Sequence, residues 1–398
     1  MPSIVFPLIA LGLHALLAYY VWRRLVRDTG LPRPWRRAAT ITIVGFEALL
    51  PVTMWASRTG ATGVAAALAW PAFLWLGLFG ITIVALLAID LARLLAGGAL
   101  WVARRARPAA TPADPVDPSR RELIARITGG VAVAAAAGQV AVGMRRALGE
   151  HRVVDVPVAL RGLPEAFDGF TIAQLSDVHV GLTVDRGFVA DVVAAVNAAG
   201  PDLIAITGDL VDGPAAELAP RIAPLAELRA PYGTYFVTGN HEYYSGVEPW
   251  LAELRRLGVQ VLRNQRVQIA RPDAGVGFEL AGIDDHGAAR FGGGHGPDLA
   301  AAVAGRDPSR PLVLLAHQPR QVADAVRHGV DLQLSGHTHG GQIWPWHYIV
   351  GLQQGGLLAG RYRRGDTQLY VSRGVGYWGP PVRVGAPPEI ARIILRRA

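Results

Sequence analysis

The sequence predicts an α/β protein in two dissimilar parts: apolar membrane-spanning helices over residues 1–107, and a strand-and-helix domain over residues 148–398. Three observations carry that prediction. Hydrophobic residues make up 51% of the 398, charged residues only 18%, and mean hydropathy is +0.27, too apolar for an ordinary soluble domain. Residues 1–150 hold 16 arginines against 7 acids and the remainder 23 against 24, so the net +8 sits wholly in the first part. Beyond residue 151 the long apolar runs give way to short ones, separated by helical stretches and Gly/Pro breaks.

Residues 2–22 carry no formal charge beyond that of His14, residues 38–57 are nearly as apolar apart from Glu47, and residues 62–89 are 28 consecutive uncharged residues. A spanning helix needs about 20 apolar residues, so all three qualify. The third pattern continues through Asp90 and Arg93 to Trp101 with no turn signal, which predicts one long helix. His14 and Glu47 fall near the middles of their spans, and with no other polar cluster to form a pathway the expectation is an interhelical hydrogen bond between them.

Residues 108–118 are Pro-rich and read as an exposed linker. A fourth hydrophobic segment, 127–143, is short and rich in Ala and Gly. The preceding Ser119-Arg120-Arg121-Glu122-Leu123-Ile124 resembles a twin-arginine export signal, departing from it at Leu-Ile, so the segment reads as a retained anchor or a cleaved signal. Arginines crowd residues 23–37 and 102–126, whereas the 58–61 turn holds only Arg58; both rich segments are expected to be cytoplasmic. The chain is then a multi-pass protein with the residue 148–398 domain on the extracytoplasmic side; Arg145 and Arg146 on the outer flank argue mildly against this.

In the second part, strands are predicted at 153–160, 170–175, 202–207, 233–238, 260–262, 267–269, 278–283, 312–316, 332–334, 368–371 and 390–395, with helices at 186–199, 216–228 and 249–257. Polar residues collect just after strands. Asp177 and His179, Asp209, Asn240 and His241, His317, and His337 and His339 each follow a buried-type strand. Strand C-terminal ends are where open α/β sheets place their sites. There is no cysteine, which excludes disulfides, thiol catalysis and thiolate metal sites. Imidazole, carboxylate and amide donors suit Mn, Fe or Zn, and so many suit two ions sharing a carboxylate better than one tetrahedral ion.

Taken together, the blocks LSDVHVG (175–181), TGDLVDG (207–213), TGNHEYY (238–244), LLAHQPR (314–320) and SGHTHGGQI (335–343) resemble the five signatures of calcineurin-like metallophosphoesterases, and with SRGVGYWGPPVRVGAPPEI (372–390) the bacterial membrane-associated branch. The resemblance implies two packed β-sheets flanked by helices (αββα), two divalent or trivalent metal ions (Mn, Fe or Zn), and hydrolysis of a phosphate ester or pyrophosphate by a metal-bridging hydroxide. Asp177, His179 and His339 would hold the first ion. Asp209 would bridge, and Asn240, His317 and His337 would hold the second. His241 would face the phosphate, assisting the transition state or the leaving group. The family often has Asp after that His; here Glu242 is expected to orient the imidazole.

Further candidates are weaker. Asp212 reads as a turn residue, with support of a metal ligand as the alternative; Asp285, following a strand, is a candidate for substrate contact or for supporting the site; Arg320 and Arg373 could bind phosphate. Trp344, Trp346, Tyr348, Tyr377 and Trp378 could wall the pocket, meet a membrane interface or pack in the core. The expected partners are a membrane, here the bacterial plasma (inner) membrane, and a phosphorylated small-molecule or lipid-linked substrate. The near-neutral second part gives no reason to expect specific nucleic-acid binding. The competing readings are a non-catalytic membrane sensor or scaffold and a nuclease or cyclic-nucleotide phosphodiesterase.

Overall fold

A computed structural model describes residues 2–58, 62–105, 117–149, 151–271 and 275–398. The 58–61 turn and the Pro-rich linker therefore fall largely outside the described residues. The chain divides into two compact units, Met1–Gly143 and Met144–Ala398.

The first unit contains α1 (Pro2–Trp22), running into a π-helical turn at Arg23–Arg27, α2 (Arg33–Arg58), α3 (Thr62–Arg105) and most of α4 (Pro118–Ala147). Among the described residues, three helical stretches are long and apolar enough to cross a membrane: Arg33–Ser57, Gly63–Arg105 and Ser119–Ala147. At 44 residues α3 is about 66 Å long, twice the ~30 Å hydrocarbon thickness. Large apolar side chains point outward along α1, α2 and α3, among them Leu11, Leu16, Ile41 and Leu94, a pattern suited to lipid contact. His14 Nε2 lies 2.5 Å from Glu47 Oε2, the interhelical hydrogen bond expected from the sequence, and Trp75 Nε1 donates to the other oxygen at 3.2 Å. Arg24 (2.7 Å) and Tyr20 (2.8 Å) both donate to the Asp90 carboxylate, so this charge is paired as well.

The second unit is built on twelve strands among the described residues: β1 (Val153–Leu160), β2 (Thr171–Leu175), β3 (Leu203–Ile206), β4 (Thr234–Phe236), β5 (Gln260–Val261), β6 (Gln265–Ala270), β7 (Gly277–Gly282), β8 (Leu312–Leu315), β9 (Leu332–Ser335), β10 (Gly360–Arg364), β11 (Thr367–Val371) and β12 (Ile390–Arg397). They form two six-stranded mixed sheets, ordered β1-β12-β2-β3-β4-β5 and β10-β11-β9-β8-β7-β6. The helices are α5 (Arg186–Ala198), α6 (Ala215–Ile222), α7 (Asn240–Tyr244), α8 (Val247–Arg256), α9 (Leu299–Val303), α10 (Val322–Arg327) and α11 (His347–Gln353).

Both faces of each sheet are covered, which is why the central strands read as unbroken apolar runs. Leu203 and Ala205 of β3 point into the core between the sheets, together with Phe278, Val313 and Leu334. Their neighbours Ile204 and Ile206 point the other way, onto Val192 and Val196 of α5 and Trp250 of α8. On the far sheet, Leu312 and Leu314 pack outward on Leu299 of α9 and Ala325 of α10. The result is the helix–sheet–sheet–helix sandwich. The stretch read as one helix at 216–228 is broken: α6 ends at Ile222, and a 3-10 turn continues to Glu227 around Pro224.

Candidate metal centre

Each candidate ligand stands just past a strand. Asp177 and His179 follow β2, Asp209 follows β3, Asn240 opens α7 after β4, His317 follows β8, and His337 and His339 follow β9. Parallel pairing of β2, β3 and β4 in one sheet, and of β8 and β9 in the other, sets these ends side by side. Five candidates are non-glycine residues held at positive φ: Asp177 (55°), His179 (54°), Asp209 (52°), His337 (72°) and His339 (52°). Each such conformation costs ~1–3 kcal/mol and persists only where the surroundings impose it. Gly208 (φ 89°) shows how tightly the loops meet: a Cβ there would lie 2.5 Å from the Gly239 nitrogen and 2.9 Å from His317 Nδ1.

Two groups of facing donors result. In one, His339 Nε2 lies 3.0 Å from His179 Nε2 and 3.5 Å from Asp177 Oδ1. In the other, His317 Nε2 lies 3.0 Å from Asp209 Oδ2 and 3.2 Å from His337 Nδ1. Asp209 faces both, its Oδ2 being 4.0 Å from His179 Nε2. Asn240 Oδ1 is buried with no hydrogen-bond partner, a state that costs ~1–3 kcal/mol unless a cation or donor completes it. Carboxylate, imidazole and orphaned amide oxygen are the donor set that borderline divalent ions accept, so the residues present fit two such ions.

The electrostatics agree with a cation site. Burial would raise the Asp209 carboxyl, but His317 and His241 hold it well below its ordinary value. Burial would lower His317, yet Asp209 raises it to about 10. His337 is pushed down to about 3 by burial and by His317. His339 falls far below its ordinary value through burial and the guanidinium of Arg383. Hydrogen bonds fix the rings: His317 Nδ1 donates to the Thr207 carbonyl at 2.7 Å, leaving Nε2 turned to Asp209.

Two sequence expectations are corrected here. Asp212 is not merely a turn residue. Its Oδ1 accepts from His179 Nδ1 (2.9 Å) and from His241 Nδ1 (2.6 Å), so one carboxylate orients both rings. Burial would raise Asp212, but the charge and hydrogen bond of His179, with those of His241, lower it to about 2. Burial would likewise lower His241, but the charge of Asp209 and the Asp212 hydrogen bond raise it to about 9. Glu242 does not orient His241. Fully buried, it accepts from the backbone N–H groups of Gly239 (2.6 Å), Leu210 (2.7 Å) and Asp209 (3.0 Å), locking the Asp209 loop to the start of α7.

Residues 170–341 match the calcineurin-like phosphoesterase family. The uncharacterized metallophosphoesterase YkuE of Bacillus subtilis is 32% identical over 286 residues, covering 70% of this chain and 98% of that one. The chain belongs to the calcineurin-like metallophosphoesterases. Its domain is that of a metal-dependent phosphoester hydrolase. A transmembrane protein with metallophosphoesterase domain from Danio rerio is 38% identical over 262 residues, or 64% of this chain and 60% of that one. An uncharacterized metallophosphoesterase of Helicobacter pylori is 40% identical over 255 residues, or 64% and 66%. The chain thus spans about 60–66% of the length of these two relatives.

Beside the phosphoesterase donors lies a cavity of about 430 Å³, lined by Asn240, His337, Asp285, Arg290, Phe291 and Arg320 among others. Asp285 accepts from Gln318 Nε2 (2.9 Å) and the Gly287 N–H (2.7 Å). Arg320 lines this cavity. Arg373 instead pairs with buried Glu389 at 2.5 Å. Sequence reasoning does not single out Arg383, which is fully buried and donates to the carbonyls of His339 (2.8 Å), Arg373 (2.9 Å) and Gly376 (3.0 Å). Its Nη2 also lies 3.2 Å from His339 Nδ1. The only sequence signal for it is a charge inside a Gly/Pro-rich stretch.

Proposed function

We propose that the chain is a membrane-anchored, two-metal phosphoesterase acting on a phosphorylated small molecule or lipid-linked phosphate, with its catalytic domain on the extracytoplasmic side of a bacterial inner membrane. The carrying observation is that Asp209 stands between two clusters of imidazole and carboxylate donors, with His241 held beside them. Asp177, His179 and His339 would hold one ion, and Asn240, His317 and His337 the other, with Asp209 shared; Mn, Fe and Zn all suit these donors. Bound there, the ions supply positive charge to the phosphoryl oxygens and activate water as the nucleophile.

The chain's own residues do the rest. Asp212 accepts the Nδ1 proton of His241, which leaves His241 Nε2 to present a proton outward. Held by Asp212 in this orientation, a protonated His241 can hand its Nε2 proton to the leaving oxygen as the P–O bond breaks. Glu242 keeps the Asp209 and Asn240 segments in register. Hydrolysis of bis-p-nitrophenyl and mono-p-nitrophenyl phosphate by the full chain, metal-stripped and then supplied with Mn²⁺, Zn²⁺ or Fe²⁺, tests the reading. Metal-dependent turnover lost in Asp209→Asn supports it; metal-independent turnover, or an unaffected variant, rejects it.

A further inference from the structure

Large exposed apolar side chains are unevenly placed on the catalytic unit. Of the twelve among its described residues, six belong to one feature: Trp344, Trp346, Tyr348, Ile349 and Leu352, together with Trp378. Two more, Tyr244 and Phe291, line the cavity beside the metal donors. Helix α11 has no buried residue at all, and Leu352 on it is 83% exposed. A short helix with no fully buried side chain gains little from the fold, so its exposed apolar residues call for another explanation.

The feature is ordered. The side chain of Gln342 donates to the Trp378 carbonyl (3.0 Å) and accepts from the Trp378 N–H (3.0 Å), tying the 342–353 segment to the 378 loop. Arg320 Nη2 donates to the Gln353 carbonyl at 2.6 Å and so anchors the C-terminal end of α11. The feature also adjoins the site, since Gln353 and Gln354 line the cavity and the Trp378 ring lies 6.0 Å from that of His241.

Its charge points to one kind of occupant. No acidic residue occurs between Asp331 and Asp366, while Arg290 and Arg320 stand at the cavity beside the aromatic rim. Tryptophan and tyrosine at the tip with arginine behind is the composition that settles into the headgroup layer of a bilayer carrying anionic lipid. The same chain carries helices long and apolar enough to span a membrane, so a bilayer is the surface always within reach.

We propose that the Trp344–Leu352 segment and Trp378 form a docking face that inserts into an anionic bilayer surface and turns the cavity mouth toward the lipid headgroups. The face goes beyond the phosphoesterase reading and does not depend on it.

The absence of cysteine makes the test direct. Full-length Leu352→Cys, and separately Tyr348→Cys, would carry a nitroxide in nanodiscs of phosphatidylcholine and phosphatidylglycerol. Collision with oxygen is compared with collision with a water-soluble nickel chelate. Glu165→Cys is the control; Glu165 precedes β2, at the strand ends opposite the metal donors. Docking predicts an oxygen-to-nickel ratio several-fold higher at Leu352 and Tyr348 than at Glu165. Equal, water-like ratios at all three positions would overturn it. So would labels shielded from both reagents, which would mean a protein surface covers the face. Metal-dependent p-nitrophenyl ester hydrolysis in the same sample reports the catalytic reading independently.

Discussion

Replacing Asp212 by Asn tests whether one carboxylate organises both His179 and His241. Asparagine preserves size and a carbonyl oxygen but removes the charge. His241 rises from 6.5 to about 9, worth about 3 kcal/mol of imidazolium stabilisation at ~1.4 kcal/mol per pH unit. Asp209, Asp212 and Glu242 share that effect, so removing the Asp212 charge and hydrogen bond takes away part of it. Loss of the hydrogen bond that orients His179, with the weaker hold on the His241 proton, brings the ~10–100-fold penalty usual when a ligand's supporting carboxylate is removed. Asp212→Asn should therefore lower kcat/KM by about 10–100-fold without unfolding the domain. In metal-free protein, the His241 ring should titrate at lower pH than in the parent, as followed by NMR. The sign is that of a raised histidine: the proton is held below the folded pKa and lost as pH rises through it, so the variant loses it earlier. A His241→Asn background should mask most of the Asp212→Asn effect that runs through His241. Unchanged titration with kcat/KM within about twofold of the parent would refute the assignment.

Other outcomes follow from the same geometry. Glu242→Ala leaves three buried N–H groups without their acceptor, which should cost about 3 kcal/mol, seen as a Tm lower by roughly 6–12 °C in the metal-free protein; an unshifted Tm would count against the lock. His241→Asn should reduce kcat by ~10²–10⁴-fold while bound metal, measured by elemental analysis, stays unchanged. Metal loading should release protons. His317 is protonated near neutrality without metal, and its Nε2 must give up that proton to bind an ion; titration calorimetry in buffers of different ionisation enthalpy should therefore find proton release and tighter binding at higher pH.

The convergence of the candidate metal donors was legible because each sits directly after a strand, in a short block whose spacing is local. The central strands were legible for a related reason: burial on both faces makes β3 and β8 unbroken apolar runs. Asp212 was legible only as a lesser alternative to a turn residue. Its partners lie 33 and 29 residues away on other loops, and nothing near Gly213 announces that its side chain turns inward. Glu242 follows His241 in sequence, yet helix α7 turns the two side chains apart, one onto backbone N–H groups and the other onto Asp212. Arg383 escaped because a buried cation satisfied mainly by carbonyls leaves no partner pattern in the sequence. Strand β10, Gly-Arg-Tyr-Arg-Arg, is a charged edge strand without apolar alternation, and pairing with β11 alone defines it.

The central claim is that two ions share Asp209. Its most direct test is the anomalous scattering of crystals grown from the Mn²⁺-loaded chain. The account predicts two peaks about 3.5–4 Å apart, one against Asp177, His179 and His339, the other against Asn240, His317 and His337, with Asp209 touching both. A single peak, or two peaks with Asp209 on only one, would contradict it.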